Sequence, residues 1–168
     1  MKNALLGLLF TSVCCLASCT TPYIPGPDRP FEPITEFTAS GTLALINAQP
    51  ETEERHFGGN MSANYNAWTD VAIEITAREL SARGLSIEPN AERSLQLWIT
   101  EARYRTGWVK ISTEIDMYVI TGDGYSANYT SRNSSTMMAV PKRQVDGAMM
   151  RVVVMMLKDP EIVRYLTQ

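Results

Sequence analysis

Cysteine is scarce in this chain, and its placement excludes more than its number. All three cysteines of the 168 residues, Cys14, Cys15 and Cys19, fall within the first nineteen positions. From Thr20 onward the chain can form no disulfide, no thiolate zinc site and no thiol nucleophile. Histidine is scarcer still, with His56 alone in the sequence Glu51-Thr-Glu-Glu-Arg-His-Phe-Gly-Gly. Glu53, Glu54 and His56 are neighbours in a polar segment rather than partners on a rigid face, which is weak geometry for a transition metal. No metal and no cofactor is therefore expected. No apolar run approaches the roughly 20 residues that a transmembrane helix needs. The net charge of −3 comes without a basic tract, so nucleic acid is not an expected partner. The GxSxG, SxxK and HExxH patterns of common hydrolases are missing as well. No residue is assigned a catalytic role, and the chain is read as non-enzymatic.

What is present begins at the first residue. Met1-Lys2-Asn3 is a short positive head, and Ala4 to Leu16 is an apolar stretch of the length of a signal-peptide core. Leu16-Ala17-Ser18-Cys19 then matches a lipobox, in which small residues let the chain lie extended in a protease site and the thiol forms a thioether to diacylglycerol. The expectation is a signal peptide over 1–18 and a lipidated Cys19 carrying two or three acyl chains such as palmitate. One chain alone anchors only reversibly, whereas two or more hold firmly. Thr20, rather than aspartate, follows the cysteine, so the expected location is the outer membrane, facing the periplasm.

Removal of residues 1–18 leaves about 150, enough for one domain with a real core. Residues 19–37 are expected to be the lipidated cysteine and a tether, because Thr20 to Pro33 carries prolines at 22, 25, 27, 30 and 33. Such a segment favours polyproline II at about 3.1 Å per residue and could reach about 40 Å from the lipid. The domain is then 38–168. Thr38 to Asn47 reads as a strand and Gln49 to Asn60 as a loop. Ala67 to Arg83 reads as a helix, with Trp68, Val71, Ala72 and Ile75 on one face, Asn66 as N-cap and Gly84 as C-terminal cap. Short and long strands follow at 85–87, 94–104, 108–121 and 125–132, separated by turns at Arg105-Thr106-Gly107 and Gly122-Asp123-Gly124. A helix from Pro141 to about Lys158 and a last turn through Tyr165 and Leu166 close the chain. The predicted class is α+β, an antiparallel β-meander of about four strands with two helices packed on one face.

Two groups of side chains invite a functional reading. Glu114 and Asp116 share one strand face at a spacing of about 7 Å, which could suit glycan hydrolysis but is better explained as ordinary solvent-facing charge. Trp98, Tyr104, Trp108, Tyr118, Tyr125 and Tyr129 all fall on the meander and form the candidate binding surface, provided that register puts them on the side away from the helices. Met149, Met150, Met155 and Met156 alternate with valine at helical spacing and read as core filler rather than copper ligands.

The lipobox, the helix ending Ala82-Arg83-Gly84-Leu85, the strand Leu95-Gln96-Leu97-Trp98-Ile99 and the closing Asp159-Pro160-Glu161-Ile162-Val163-Arg164-Tyr165-Leu166 together resemble the YajG-type family of outer-membrane lipoproteins. The likeness spans roughly residues 38–168, with the proline-rich tether and the turn at 105–107 as departures. It implies no activity and no catalytic residues. The resulting expectation is a membrane-anchored envelope lipoprotein that binds another envelope component, protein or peptidoglycan. Lipid or lipopolysaccharide handling is the alternative, with a cell-wall hydrolase behind it. The sequence sets no oligomeric state.

Overall fold

The computed structural model describes residues 21–26, 34, 36–136 and 140–168. The expected signal segment, Cys19 and most of the proline-rich stretch lie outside these residues. The elements run β1 (Thr21–Pro22), β2 (Thr42–Asn47), β3 (Glu54–Gly58), β4 (Met61–Asn64), α1 (Tyr65–Ala82), β5 (Ser86–Ile87), β6 (Ser94–Thr106), β7 (Lys110–Thr121), β8 (Ser126–Thr136), α2 (Pro141–Lys158) and α3 (Pro160–Leu166).

The α+β class stands, but the simple meander does not. Strands β6, β7 and β8 form the expected antiparallel hairpins, and they are one side of a five-stranded mixed sheet of order β5-β2-β6-β7-β8. Strand β2 runs parallel to both β6 and β5. The reason is connectivity: α1 lies between β2 and β6 in the chain, and a helical crossover brings the next strand back in the same direction. A second, three-stranded sheet of order β1-β4-β3 accounts for the segment read as a loop. Gly58 and Gly59, both at positive φ, turn the β3–β4 hairpin there.

Both long helices are set by identifiable end signals. Asn64, rather than Asn66, caps α1 by accepting the Ala67 N–H at 3.0 Å. At the other end Gly84 adopts φ 101°, and the N–H groups of Gly84 and Leu85 return to the carbonyls of Ser81 and Leu80, a Schellman closure. Helix α2 begins with Pro141 at its first turn, where a missing N–H costs nothing. Its buried Val145, Ala148, Met149, Val152, Val153 and Met156 pack on β7 and β8, while α1 packs on β2 and β6. Met149, Met150 and Met156 are buried, whereas Met155 faces outward. Burying such a side chain contributes on the order of 1.5–3 kcal/mol.

Where β2 ends at Asn47, β6 continues with no ladder partner on that edge, and side chains take over. Thr69 Oγ1 accepts the Ile99 N–H at 3.1 Å, the Gln49 amide donates to the Ile99 carbonyl, and Tyr65 Oη accepts the Ala102 N–H at 2.9 Å. These contacts satisfy buried backbone groups that would otherwise be left open. They bracket a bulge at Thr100, where the β6–β7 register shifts by one residue.

The segment assigned to a tether is not free where it is described. Thr21 donates to the Asn60 carbonyl at 2.8 Å and Tyr23 to that of Ser62 at 2.9 Å, so β1 adds to the small sheet. Trp68, fully buried, donates its indole N–H to the Tyr23 carbonyl at 2.6 Å and meets the rings of Tyr23 and Phe57 edge-on. Tyr23 Oη and the Gly26 N–H both donate to Asp146 Oδ1 on α2, each at 2.8 Å. Trp68→Ala is expected to lower the unfolding free energy by about 3–5 kcal/mol in urea titration. It should also speed hydrogen exchange at the Thr21 and Tyr23 amides. Unchanged exchange at those two amides would show that Trp68 does not hold the segment.

Candidate functional site

The sheet has one face covered by α1 and α2 and one that no described element covers. Register assigns the residues to these faces. On β7, Ile111, Thr113, Ile115, Met117, Val119 and Thr121 turn inward and are buried, leaving Ser112, Glu114, Asp116, Tyr118 and Ile120 on the other face. Trp98 of β6 stands directly opposite Tyr118, with ring centroids 4.7 Å apart at 45°. Ile46 of β2 pairs with Gln96 next to them and is 40% exposed. Trp98, Tyr118, Ile46 and Ile120 thus form an apolar patch on the open face. Beside it, Trp98 also lines a cleft of about 200 Å3 with Gln49, Pro50, Glu51, Tyr65, Ile99 and Thr100.

The open face continues into a charged network past the bulge. Arg103 is paired with Glu101 at 2.7 Å and with Asp116 at 3.1 Å, and it also meets Glu114. The bond to Glu101 leads in holding the Arg103 guanidinium further above its usual range, with Glu114 and Asp116 adding to it against the cost of burial. Thr130 donates to Asp116 at 2.6 Å. Glu101, Glu114 and Asp116 therefore share one guanidinium, and Asp116 alone also accepts from the Thr130 hydroxyl, so the arrangement offsets part of the carboxylate charge. The trio Glu53, Glu54 and His56 does not converge either. Glu54 accepts from Ser62, and His56 Nε2 lies 2.6 Å from the Gly59 carbonyl. Among the described residues no three His, Cys, Asp or Glu side chains gather into a metal-sized cluster.

The six candidate aromatics occupy three different places. Only Trp98 and Tyr118 share the open face. Tyr104, which plain alternation puts with Trp98, is turned to the core side by the bulge and packs under Gly58 and Gly59. Tyr125 and Tyr129 also lie toward the helices, and both donate to Asp159 Oδ2, at 2.9 and 2.7 Å. Trp108 stands alone at the tip of the β6–β7 hairpin, 98% exposed. The turn falls two residues later than the sequence suggested, with the Gly107 N–H bonded to the Lys110 carbonyl and Trp108-Val109 at its corner.

No protein-family model matches the chain, and no curated protein matches it. Among solved structures it is similar to protein XCC0632 from Xanthomonas campestris, of family DUF330, at 13% identity and a TM-score of 0.44, over 87% of this chain and 94% of that one. It is similar to lipoprotein GNA1162 from Neisseria meningitidis at 14% identity and a TM-score of 0.35, over 69% and 95%. A minor lipoprotein from Acinetobacter baumannii stands at 11% identity and a TM-score of 0.35, over 77% and 92%. These likenesses are loose in sequence and in superposition. No helix of the described residues is long and apolar enough to cross a membrane.

The Asp159 cluster is the feature that sequence reasoning missed. Asp159-Pro160 reads as a helix stop, and it is one, with Asp159 Oδ1 also accepting the Glu161 N–H to cap α3. The signal available was that a capping aspartate has a second oxygen in need of donors. Burial alone would raise the Asp159 carboxyl, but donors from Tyr129, Tyr125, Glu161 and Ile162 more than offset it and hold it below its usual value. The tyrosines move the other way. Tyr129 rises through burial and then through its bond to Asp159, and Tyr125 through that bond first. Folding thus favours ionised Asp159, so its stabilisation is complete above about pH 4 and is lost as pH falls through the lowered folded-state value. Asp159→Asn is expected to cost about 1–3 kcal/mol at pH 7. Urea titrations should show the gap to wild type closing as pH drops below about 4, and a gap independent of pH would contradict this assignment.

Proposed function

We propose that the protein is a lipid-anchored, non-enzymatic envelope lipoprotein of the outer membrane, and that its open sheet face binds another envelope component. The observation that carries this reading is the uncovered patch of Trp98, Tyr118, Ile46 and Ile120, with the Arg103 network beside it. Paired aromatics flanked by satisfied charges are the composition of a contact surface, in which rings supply area and the polar rim supplies register. The patch is a flat sheet face rather than a groove, which favours a folded protein over a single glycan strand as the partner. The lipobox ending at Cys19 and the resemblance to YajG-type lipoproteins support the anchored location.

Between helices and sheet, Leu95, Leu97, Ile99, Met117, Val145, Met149 and Met156 are fully buried and fill the layer. That packing leaves no groove there for an acyl chain and favours contact over lipid handling. The carboxylates Glu114 and Asp116 are both engaged by Arg103, which accounts for them as an ion-pair network without a hydrolytic role.

Crosslinking in intact cells, read by mass spectrometry, tests the reading. Wild-type protein is expected to enrich a defined envelope protein, and a Trp98→Ala, Tyr118→Ala double variant to lose that capture at least about tenfold, as removal of two anchor rings predicts. The variant should stay folded, because neither ring belongs to the buried core. Recovery of the same abundant neighbours from both proteins would sink the proposal.

A further inference from the structure

The tip of the β6–β7 hairpin is the most apolar exposed feature among the described residues. Trp108 is 98% and Val109 73% exposed, and exposed Arg105 and Lys110 flank them. Neither apolar side chain stabilises the fold, so an account must come from what the tip meets.

Three sets of contacts fix where the tip lies relative to the start of the chain. Tyr65, at the beginning of α1, reaches the backbone of β6 at Ala102. The β3–β4 turn lies further along β6, at Tyr104, so closely that a Cβ on Gly58 would stand 2.2 Å from the Tyr104 carbonyl oxygen. Thr21 is bonded to Asn60, the next residue of that turn, at 2.8 Å. Passing from Tyr65 back to Asn60 therefore follows β6 from Ala102 toward Tyr104, the direction of the hairpin tip. Strand β1 is parallel to β4, so its N-terminal end, at Thr21, lies on the same side. Trp108 stands four residues, about 13 Å of strand, beyond Tyr104.

Cys19 is two residues before Thr21, and two residues span at most about 7 Å. A bilayer holding the Cys19 lipid is thus brought against the very end of the domain that carries Trp108. We propose that the β6–β7 tip is a second membrane contact, with Trp108 and Val109 entering the headgroup region of the bilayer that anchors Cys19. The proposal rests on the lipid-anchor reading of Cys19. Its chemistry is that of an interfacial anchor. Indole is an amphipathic ring favoured at headgroup depth, and Arg105 and Lys110 match the negative charge of anionic lipid. Two attachments, one covalent and one through the tip, fix the tilt of the domain and turn the open face of the sheet roughly along the membrane normal. The Trp98–Tyr118 patch is then presented sideways into the periplasm, on the order of 30 Å along the hairpin from the tip.

The test uses the full lipidated chain in vesicles of phosphatidylethanolamine and phosphatidylglycerol, with or without brominated acyl chains near the headgroup. Intact mass and vesicle flotation first read the anchor. Wild-type protein is expected to lose part of its tryptophan emission to the brominated lipid and to shift to the blue, and Trp108→Phe to abolish both changes while still floating. Equal quenching of wild type and Trp108→Phe, with acylation intact, would overturn the tip contact while leaving the anchor standing. A chain lacking acyl mass that does not float would overturn the anchor and this orientation with it.

Discussion

The two layers of this molecule meet at one indole. Trp68 projects from the first turns of α1 into a space shared by Phe57 of the small sheet, Tyr23 of the N-terminal segment and Tyr65 of its own helix. Its N–H is spent on the Tyr23 carbonyl, so the apolar ring and the polar edge act on different elements. Without that ring the five-stranded sheet and its helices would still have a core. The small sheet and residues 21–26 would have little to hold them. The Asp146 carboxylate, which accepts from both Tyr23 and Gly26, completes the fastening on the α2 side.

This fastening changes what the proline-rich stretch means. Polyproline geometry over Thr20 to Pro33 would give a spacer and a domain standing off from its lipid. With Thr21 paired to the small sheet, the first described residues are part of the domain. Under the proposed lipid anchor, the length between anchor and fold is the short interval from Cys19 to Thr21. A domain held in that way would have few orientations available, which would give significance to side chains such as Trp108.

Much of the element pattern was legible because it depends on local signals. The α2 boundaries followed from Pro141 and Asp159-Pro160, the end of α1 from Gly84, and the 122–124 turn from paired glycines. Alternation along 109–119 marked Ile111, Thr113, Ile115, Met117 and Val119 as one face, and these are buried, whereas the face of the aromatic rings stayed open until register was known. The hairpin β3–β4 was hidden because Glu51 to Gly59 is too polar to show strand alternation; only Phe57 turns inward. The parallel pairing of β2 was hidden for a different reason: direction in a sheet is set by the crossover, not by the strand's own residues. The candidate binding surface was legible as a set of rings, yet the bulge at Thr100 and the acceptor at Asp159 distribute those rings over both sides of the sheet.

The sequence alone determined the class of elements, the lack of thiol chemistry after Cys19 and a lipobox to explain that cysteine. It could do so because helix caps, turn glycines and period-two runs act over a few residues. Tertiary structure alone decided which aromatics share a face and how close the first described residues lie to the rest of the domain. Those outcomes depend on a one-residue register shift and on hydrogen bonds between positions more than forty residues apart, such as Trp68 with Tyr23. No local pattern encodes either. The lone ring at 108 draws on both: its chemistry was evident from the sequence, and its place at the exposed tip of the β6–β7 hairpin came from the fold.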